Sequence, residues 1–140
     1  MTRRTKKRFN GGFTLLELLV VMAILGMLAA LVGPQVLNQL GGAKSKSAQI
    51  QIRDLEQALE LYRLDVGRYP STEDGLSALV KKPEGAKGWN GSYLKKSDLP
   101  ADPWGNDYLY RQLDTGSFEL LSYGADGMPG GSGESQDIEN

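Results

Sequence analysis

Gly11-Gly12-Phe13-Thr14-Leu15-Leu16-Glu17-Leu18-Leu19-Val20-Val21 joins a basic segment to an apolar one and sets a single acid inside the apolar run. Upstream stand Arg3, Arg4, Lys6, Lys7 and Arg8, cations with no acid among them. Downstream, Glu17 is the only charge in the 21 residues from Phe13 to Gly33. At about 1.5 Å of rise per residue, a helix of that length crosses a hydrocarbon core of roughly 30 Å. The basic flank then reads as the cytoplasmic side of a positive-inside anchor. A removed secretory signal is the rival reading. Its apolar core would be shorter and would end in a small-x-small site, which Ala23 and Ala29-Ala30 do not cleanly supply.

The remaining composition narrows the classes of function. A chain of 140 residues, 40% hydrophobic, holds one modest domain and an appendage, not a two-domain enzyme. Its formal charge of −1 conceals an asymmetry, because 11 basic and 17 acidic residues lie from Phe13 onward. Basic residues interleaved with aromatics are missing there, so no nucleic-acid partner is expected. Without cysteine or histidine, disulfides, thiolate metal sites and imidazole catalysis are ruled out. Asp102, Asp107 and Asp126 lie near turns and form no recognisable acid/base pair, so an enzyme is not expected.

Glu17 admits two readings. An ionised carboxylate in a bilayer core costs several kcal/mol and usually marks a functional partner. Either Glu17 sits at the interface and is hydrated, or it awaits a cation. Cleavage between Gly12 and Phe13 would create one, the new α-amino group. In low dielectric, that pair would draw one subunit into register with a neighbour.

Gly12-Phe13-Thr14-Leu15-Leu16-Glu17 resembles the class III signal of type IV pilins and pseudopilins. The resemblance implies that a prepilin peptidase cuts after Gly12, that Phe13 becomes the N-methylated first residue, and that Glu17 is the acid used in assembly.

Beyond the apolar run, Pro34 lacks the donor that would bond back to Ala30, so a kink or local unwinding is expected there, with Gly41-Gly42 a second weak point. Ala48, Ile52, Leu55, Leu59, Tyr62 and Val66 then recur at spacings of four and three, one face of an amphipathic helix. The stripe is too short for a sustained coiled coil and fits packing against the chain's own C-terminal domain. Gly67 and Tyr69-Pro70 predict its end. A short helix follows, capped by Ser71 or Thr72, with Glu73 and Asp74 in its first turn, Leu76, Leu79 and Val80 inward, and Lys81-Lys82-Pro83 beyond it. Trp89 and Tyr93 are expected to fold back against the long helix. Leu99-Pro100-Ala101-Asp102-Pro103-Trp104-Gly105-Asn106 is turn-forming. Strands at Tyr108–Tyr110 and Phe118–Tyr123, joined by a turn at Asp114-Thr115-Gly116, predict an antiparallel hairpin on the amphipathic helix. The expected fold class is α+β: a long N-terminal helix, half membrane-spanning and half amphipathic, packed on a small antiparallel sheet.

Arg68-Tyr69-Pro70-Ser71-Thr72-Glu73-Asp74-Gly75-Leu76 and Leu99 to Asn106 narrow the resemblance to the major pseudopilins of the type II secretion system, within the type IV pilin-like superfamily. The glycine-rich segment from Ser122 to Ile138 carries Asp126, Ser135 and Asp137, hard oxygen donors of the kind that suits calcium. By residue chemistry alone, a solvated Asp-Gly turn in a flexible tail is the better reading. The resemblance implies one structural calcium held by the side chains of Asp126 and Asp137 and the backbone carbonyl of Tyr123. Ser135 stands where many relatives carry aspartate.

The resemblance further implies three segments: a leader over residues 1–12, an apolar span over 13–33, and a periplasmic globular domain over 34–140. The implied function is that of the major subunit polymerising into a helical periplasmic pseudopilus, anchored single-pass in the bacterial inner membrane and supporting export of folded proteins. Its implied partners are further copies, minor pseudopilins, the inner-membrane assembly platform and the prepilin peptidase. A type IV pilus subunit and a membrane-anchored calcium-binding adhesion module are the alternatives.

Overall fold

The computed structural model describes residues 12–114 and 116–140. The expected leader therefore lies outside the described residues except for Gly12, as does Thr115 of the hairpin turn. Helix α1 runs from Leu15 to Val66 with Pro34 inside it. By compactness the chain divides after Asn38, and the second unit is Gln39–Asn140.

In the first unit the large apolar side chains are exposed, among them Leu15, Leu19, Met22, Leu25 and Leu31. No polar face interrupts them, as expected of a helix whose surroundings are lipid or other helices. Helical structure continues through Pro34, so the missing donor does not unwind the helix. Gly41-Gly42 is helical too. Gly41 is buried and serves close approach: a Cβ there would collide with the side chain of Glu134.

In the second unit one face of α1 builds the core. Ala48, Ile52, Leu55, Ala58, Leu59 and Tyr62 are buried with Leu76, Ala78, Leu79, Tyr108, Leu120 and Ile138, and Val66 packs at the margin. The four-three spacing thus turns inward against the chain's own C-terminal half. Beyond Val66, Gly67 adopts φ 87° and its N–H bonds to the Arg63 carbonyl at 2.8 Å.

The short helix differs from expectation. It is a 3-10 helix over Gly75–Leu79 with Asp74 at its N-cap, and Val80 is its C-cap, not part of its apolar face. Gly75 has φ 55°, a left-handed conformation that separates residues 72–74 from the helix. Ser71 closes that preceding turn, its Oγ accepting the Asp74 N–H at 3.1 Å. At three residues per turn, Leu76 and Leu79 lie on the same face and both are buried. Trp89 and Tyr93 anchor as expected. The Trp89 indole donates to the Ala78 carbonyl at 2.9 Å, Tyr93 meets Trp89 and Tyr62 edge-on, and its hydroxyl donates to Asp65 at 2.9 Å.

Strands β1 (Leu109–Gln112), β2 (Phe118–Ser122) and β3 (Ile138–Glu139) form one antiparallel sheet in the order β1-β2-β3. Leu109 pairs with Leu121, and Ser122 with Ile138. The hairpin occurs where expected, although β1 starts one residue later and continues to Gln112. Tyr108 precedes it, buried, with its hydroxyl donating to Gln51 of α1. The third strand was not expected. Asn140 reinforces it, because its N–H donates to the Leu120 carbonyl at 3.1 Å and its side-chain oxygen accepts the Leu120 N–H at 2.9 Å.

Leu59 is fully buried while Leu61, two residues on, is 52% exposed. Leu59→Ala is expected to lower unfolding free energy by about 2–5 kcal/mol, and Leu61→Ala by less than about 0.5 kcal/mol. Urea titration of the full chain in detergent, followed by tryptophan fluorescence, checks the ranking. The reverse order would mean that the buried face is misassigned.

Candidate functional site

Two local arrangements carry chemistry, one in each unit. In the first, Gly12, Phe13 and Thr14 precede α1, and Phe13 is 87% exposed. The Gly12–Phe13 peptide is therefore outside the helix, so cleavage there requires no helical hydrogen bond to break. Thr14 starts the helix, its carbonyl accepting the Leu18 N–H at 3.2 Å. Its side chain and that of Glu17 form a reciprocal capping box. Thr14 Oγ1 accepts the Glu17 N–H at 3.2 Å, while Glu17 Oε2 accepts the Thr14 N–H at 3.0 Å and the Thr14 hydroxyl at 3.2 Å. Glu17 thus has partners within its own chain, and its negative charge sits favourably in the first helical turn. Sequence reasoning treated Glu17 as unpartnered. The signal that could have corrected this is the Thr-x-x-Glu spacing just ahead of an apolar run.

In the second unit, the segment after β2 returns to β3 through two 3-10 turns, Gly124–Asp126 and Gly133–Ser135, which contact each other. Gly124 makes this possible. It has φ 70°, and a Cβ there would lie 2.6 Å from the Glu134 carbonyl oxygen and 3.0 Å from that of Gln136.

The expected donors are placed as follows. Tyr123 is half-buried at the start of the loop, Asp126 is exposed, and Ser135 and Asp137 are half-buried. Asp126 Oδ1 accepts the Met128 N–H at 3.1 Å, the local bond of an Asp turn. Asp137 Oδ2 accepts the Gly130 N–H at 2.9 Å. Its other oxygen, Oδ1, is buried and accepts no hydrogen bond. Leaving a desolvated charged acceptor unpaired costs more than the about 1–3 kcal/mol of a neutral one. A hard cation would resolve that cost, and the carboxylate, hydroxyl and carbonyl oxygens of this loop are the donors such an ion takes. Glu134 belongs elsewhere: its side chain lies on Gly41, and its Oε2 accepts the Trp104 indole N–H at 3.4 Å.

Asp102 is buried, whereas Asp107 and Asp126 are exposed. Among the described residues no three His, Cys, Asp or Glu side chains are placed to hold a metal as a cluster. Asp102 is 4% exposed and Ser122 is fully buried, and the Ser122 hydroxyl donates to Asp102 Oδ2 at 2.6 Å. Burial first, and then the charge of Asp102, push the Tyr108 hydroxyl well above the usual phenol range. Sequence reasoning gave Asp102 a turn-forming role, which it has, but missed its bond to Ser122.

Helix α1 is long and apolar enough to cross a membrane, with an 18-residue stretch reaching a mean hydropathy of 2.7. The profile of the family described as "Type II secretion system (T2SS), protein G" matches residues 35–140, and a "Prokaryotic N-terminal methylation motif" profile matches residues 7–33. Type II secretion system core protein G of Pseudomonas aeruginosa is 51% identical over 140 residues, covering 96% of this chain and 97% of the relative. Its Vibrio cholerae serotype O1 counterpart is 46% identical over 139 residues, covering 96% and 94%. The crystal structure of the major pseudopilin from the type 2 secretion system of enterohaemorrhagic Escherichia coli matches with a TM-score of 0.60 and 34% identity, over 76% of this chain and 94% of that one. On these matches, the chain belongs to the protein G family of the type II secretion system.

Proposed function

We propose that this chain is a major pseudopilin, made as a precursor, cut after Gly12 by a prepilin peptidase and N-methylated at Phe13. In this reading residues 1–12 are cytoplasmic, 13–33 anchor the chain in the inner membrane, and 34–140 fold in the periplasm. Copies then polymerise into a helical pseudopilus, with minor pseudopilins and the inner-membrane assembly platform as partners, and the filament supports export of folded proteins across the outer membrane. The role is structural and not enzymatic.

The observation that carries this reading is the Gly12–Phe13 peptide standing just ahead of a capped helix whose apolar side chains are exposed throughout its first unit. Each buried Leu- or Val-sized side chain gains about 1.5–3 kcal/mol, so that surface requires lipid before assembly and other helices after it. A head-to-tail contact that does not close into a ring yields a filament. Glu17 joins the two states by capping its own helix and meeting the α-amino group of a neighbour after cleavage.

A calcium ion in the loop is the second part of the proposal. Asp126, Ser135 and Asp137 side chains and the Tyr123 carbonyl would hold it, and the unpaired Asp137 Oδ1 supports the assignment. When bound, the ion supplies positive charge that orders a glycine-rich segment whose backbone costs about 1–2 kcal/mol per residue to fix. The turn that bears Asp126 contacts the turn that bears Ser135, and Asp137 is oriented by the Gly130 amide.

Mass spectrometry of the mature N-terminus, in cells with and without prepilin peptidase, is expected to show N-methylated Phe13 only where the peptidase is present. An intact leader in both would overturn the reading.

Glu17→Ala is expected to insert in the membrane and fail to assemble. Glu17→Gln separates capping from charge, because glutamine completes a capping box but does not pair with an amine as an ion. Gln is therefore expected to assemble as poorly as Ala; wild-type filaments from Glu17→Gln would reject the amine pairing.

Chelation is expected to lower the melting temperature of the globular unit, since a ligand bound only to the folded state stabilises it by mass action. An unchanged transition after verified metal removal would reject the calcium assignment.

A further inference from the structure

Asp102 lies outside the glycine-rich loop but is linked to its first turn by hydrogen bonds. Oδ1 of Asp102 accepts the N–H groups of Trp104 at 3.0 Å and Asn106 at 2.8 Å. The backbone closes the same turn through the Asp102 N–H bonded to the Asn106 carbonyl at 2.8 Å. Oδ2 takes the Ser122 hydroxyl, and Ser122 Oγ in turn accepts the Gly124 N–H at 3.1 Å. The Asn106 side-chain amide donates to the Gly124 carbonyl at 3.0 Å. Both backbone polar groups of Gly124 are thus held from the Asp102 turn, one through Ser122 and one through Asn106.

Gly124 follows Tyr123 and precedes Asp126, and its bare face lies against the carbonyls of Glu134 and Gln136. Fixing Gly124 therefore sets the plane of the Tyr123–Gly124 peptide, the direction in which Asp126 leaves the turn, and the approach of the segment bearing Ser135 and Asp137. We infer that Asp102, Ser122 and Asn106 form a positioning unit for the loop's cation site, holding Gly124 so that donors from the two halves of the loop face one ion. This inference rests on the calcium reading above. It assigns to the proline-rich turn a role in metal affinity that neither the turn nor the loop discloses alone. None of the three side chains is a ligand in this scheme; each acts through Gly124.

Calcium titration calorimetry of the full chain in detergent tests the inference, with wild type, Asp102→Asn, Ser122→Ala, Asn106→Ala and Tyr69→Phe compared. Outer partners that orient metal ligands typically contribute about 10–100-fold in affinity, so the first three variants are expected to bind calcium with Kd raised by at least about tenfold. Tyr69→Phe removes a hydroxyl bonded to Glu60, away from the loop, and is expected to bind as wild type. Melting in chelator supplies the second readout. Positioning predicts that the calcium-dependent rise in Tm shrinks in the three variants, whereas a purely structural role lowers the chelated Tm and leaves Kd unchanged. Asn106→Ala retains the buried Asp102–Ser122 pair and carries the test if either buried variant does not fold. Wild-type binding with Kd unaltered in the folded variants overturns the inference alone. No binding by wild type overturns the calcium reading and the inference with it.

Discussion

The buried face of α1 is the surface on which the rest of the second unit depends. Strands of four, five and two residues are too short to hold a sheet by their own pairing, since small isolated sheets are marginal without a packed face. Leu120 and Ile138 point into the helix stripe, and their burial supplies the stabilisation that backbone pairing does not. The 3-10 segment contributes Leu76 and Leu79 to the same surface, and Trp89 locks onto its Ala78 carbonyl. Loss of the stripe would remove the packed face that the sheet and the 3-10 segment share, leaving a small sheet that is marginal by itself.

Where apolar burial ends, two carboxylates take over the satisfaction of backbone donors. Glu17 accepts the Thr14 N–H at the helix start, where the first N–H groups have no partner within the helix. Asp102 accepts two N–H groups in a turn whose prolines, Pro100 and Pro103, prevent regular secondary structure. The two acids differ in surroundings. Glu17 is exposed and adjustable, whereas Asp102 is enclosed and also paired with a buried hydroxyl. Removing Asp102 would strand several donors at once, and an unsatisfied buried donor costs about 1–3 kcal/mol. It suits a fixed scaffold; Glu17, on the reading proposed above, suits a site that gains a partner.

Legibility followed the range of the determining interaction. The helix stripe, its end at Gly67 and the hairpin rest on periodicity or on residues a few positions apart, and all could be read directly. The aromatic anchors were also legible, because Trp89 and Tyr93 sit in a segment otherwise poor in apolar residues. Strand β3 was not, since Ile138-Glu139 has no periodicity and pairs only because the loop returns it to Ser122. Gly41 appeared as a weak point because its partner, Glu134, is distant in sequence. Asp102 and Ser122 are 20 residues apart, and neither announces burial. The 3-10 start was missed for a local reason: only the backbone reveals that Gly75 turns left-handed. For the loop, the sequence supplied the donor types, while the unpaired oxygen of Asp137 emerged only with its burial.

The geometry at Glu17 alters the meaning of an acid in an apolar segment. A carboxylate with no partner in the precursor would raise the cost of insertion, and selection for assembly would then oppose selection for anchoring. The capping box eases that conflict by giving the carboxylate hydrogen-bond donors from its own chain. Both Thr14 donors converge on Oε2, and among the described residues Oε1 accepts no hydrogen bond. One oxygen therefore closes the helix start while the other retains capacity for a further donor. The α-amino group of a neighbour, once freed by cleavage, would find an acceptor already oriented by its own helix, with no need to break the cap. Pre-organisation of this kind reduces the ordering cost of association, so under the amine pairing proposed above Thr14 would contribute through the oxygen it holds in place.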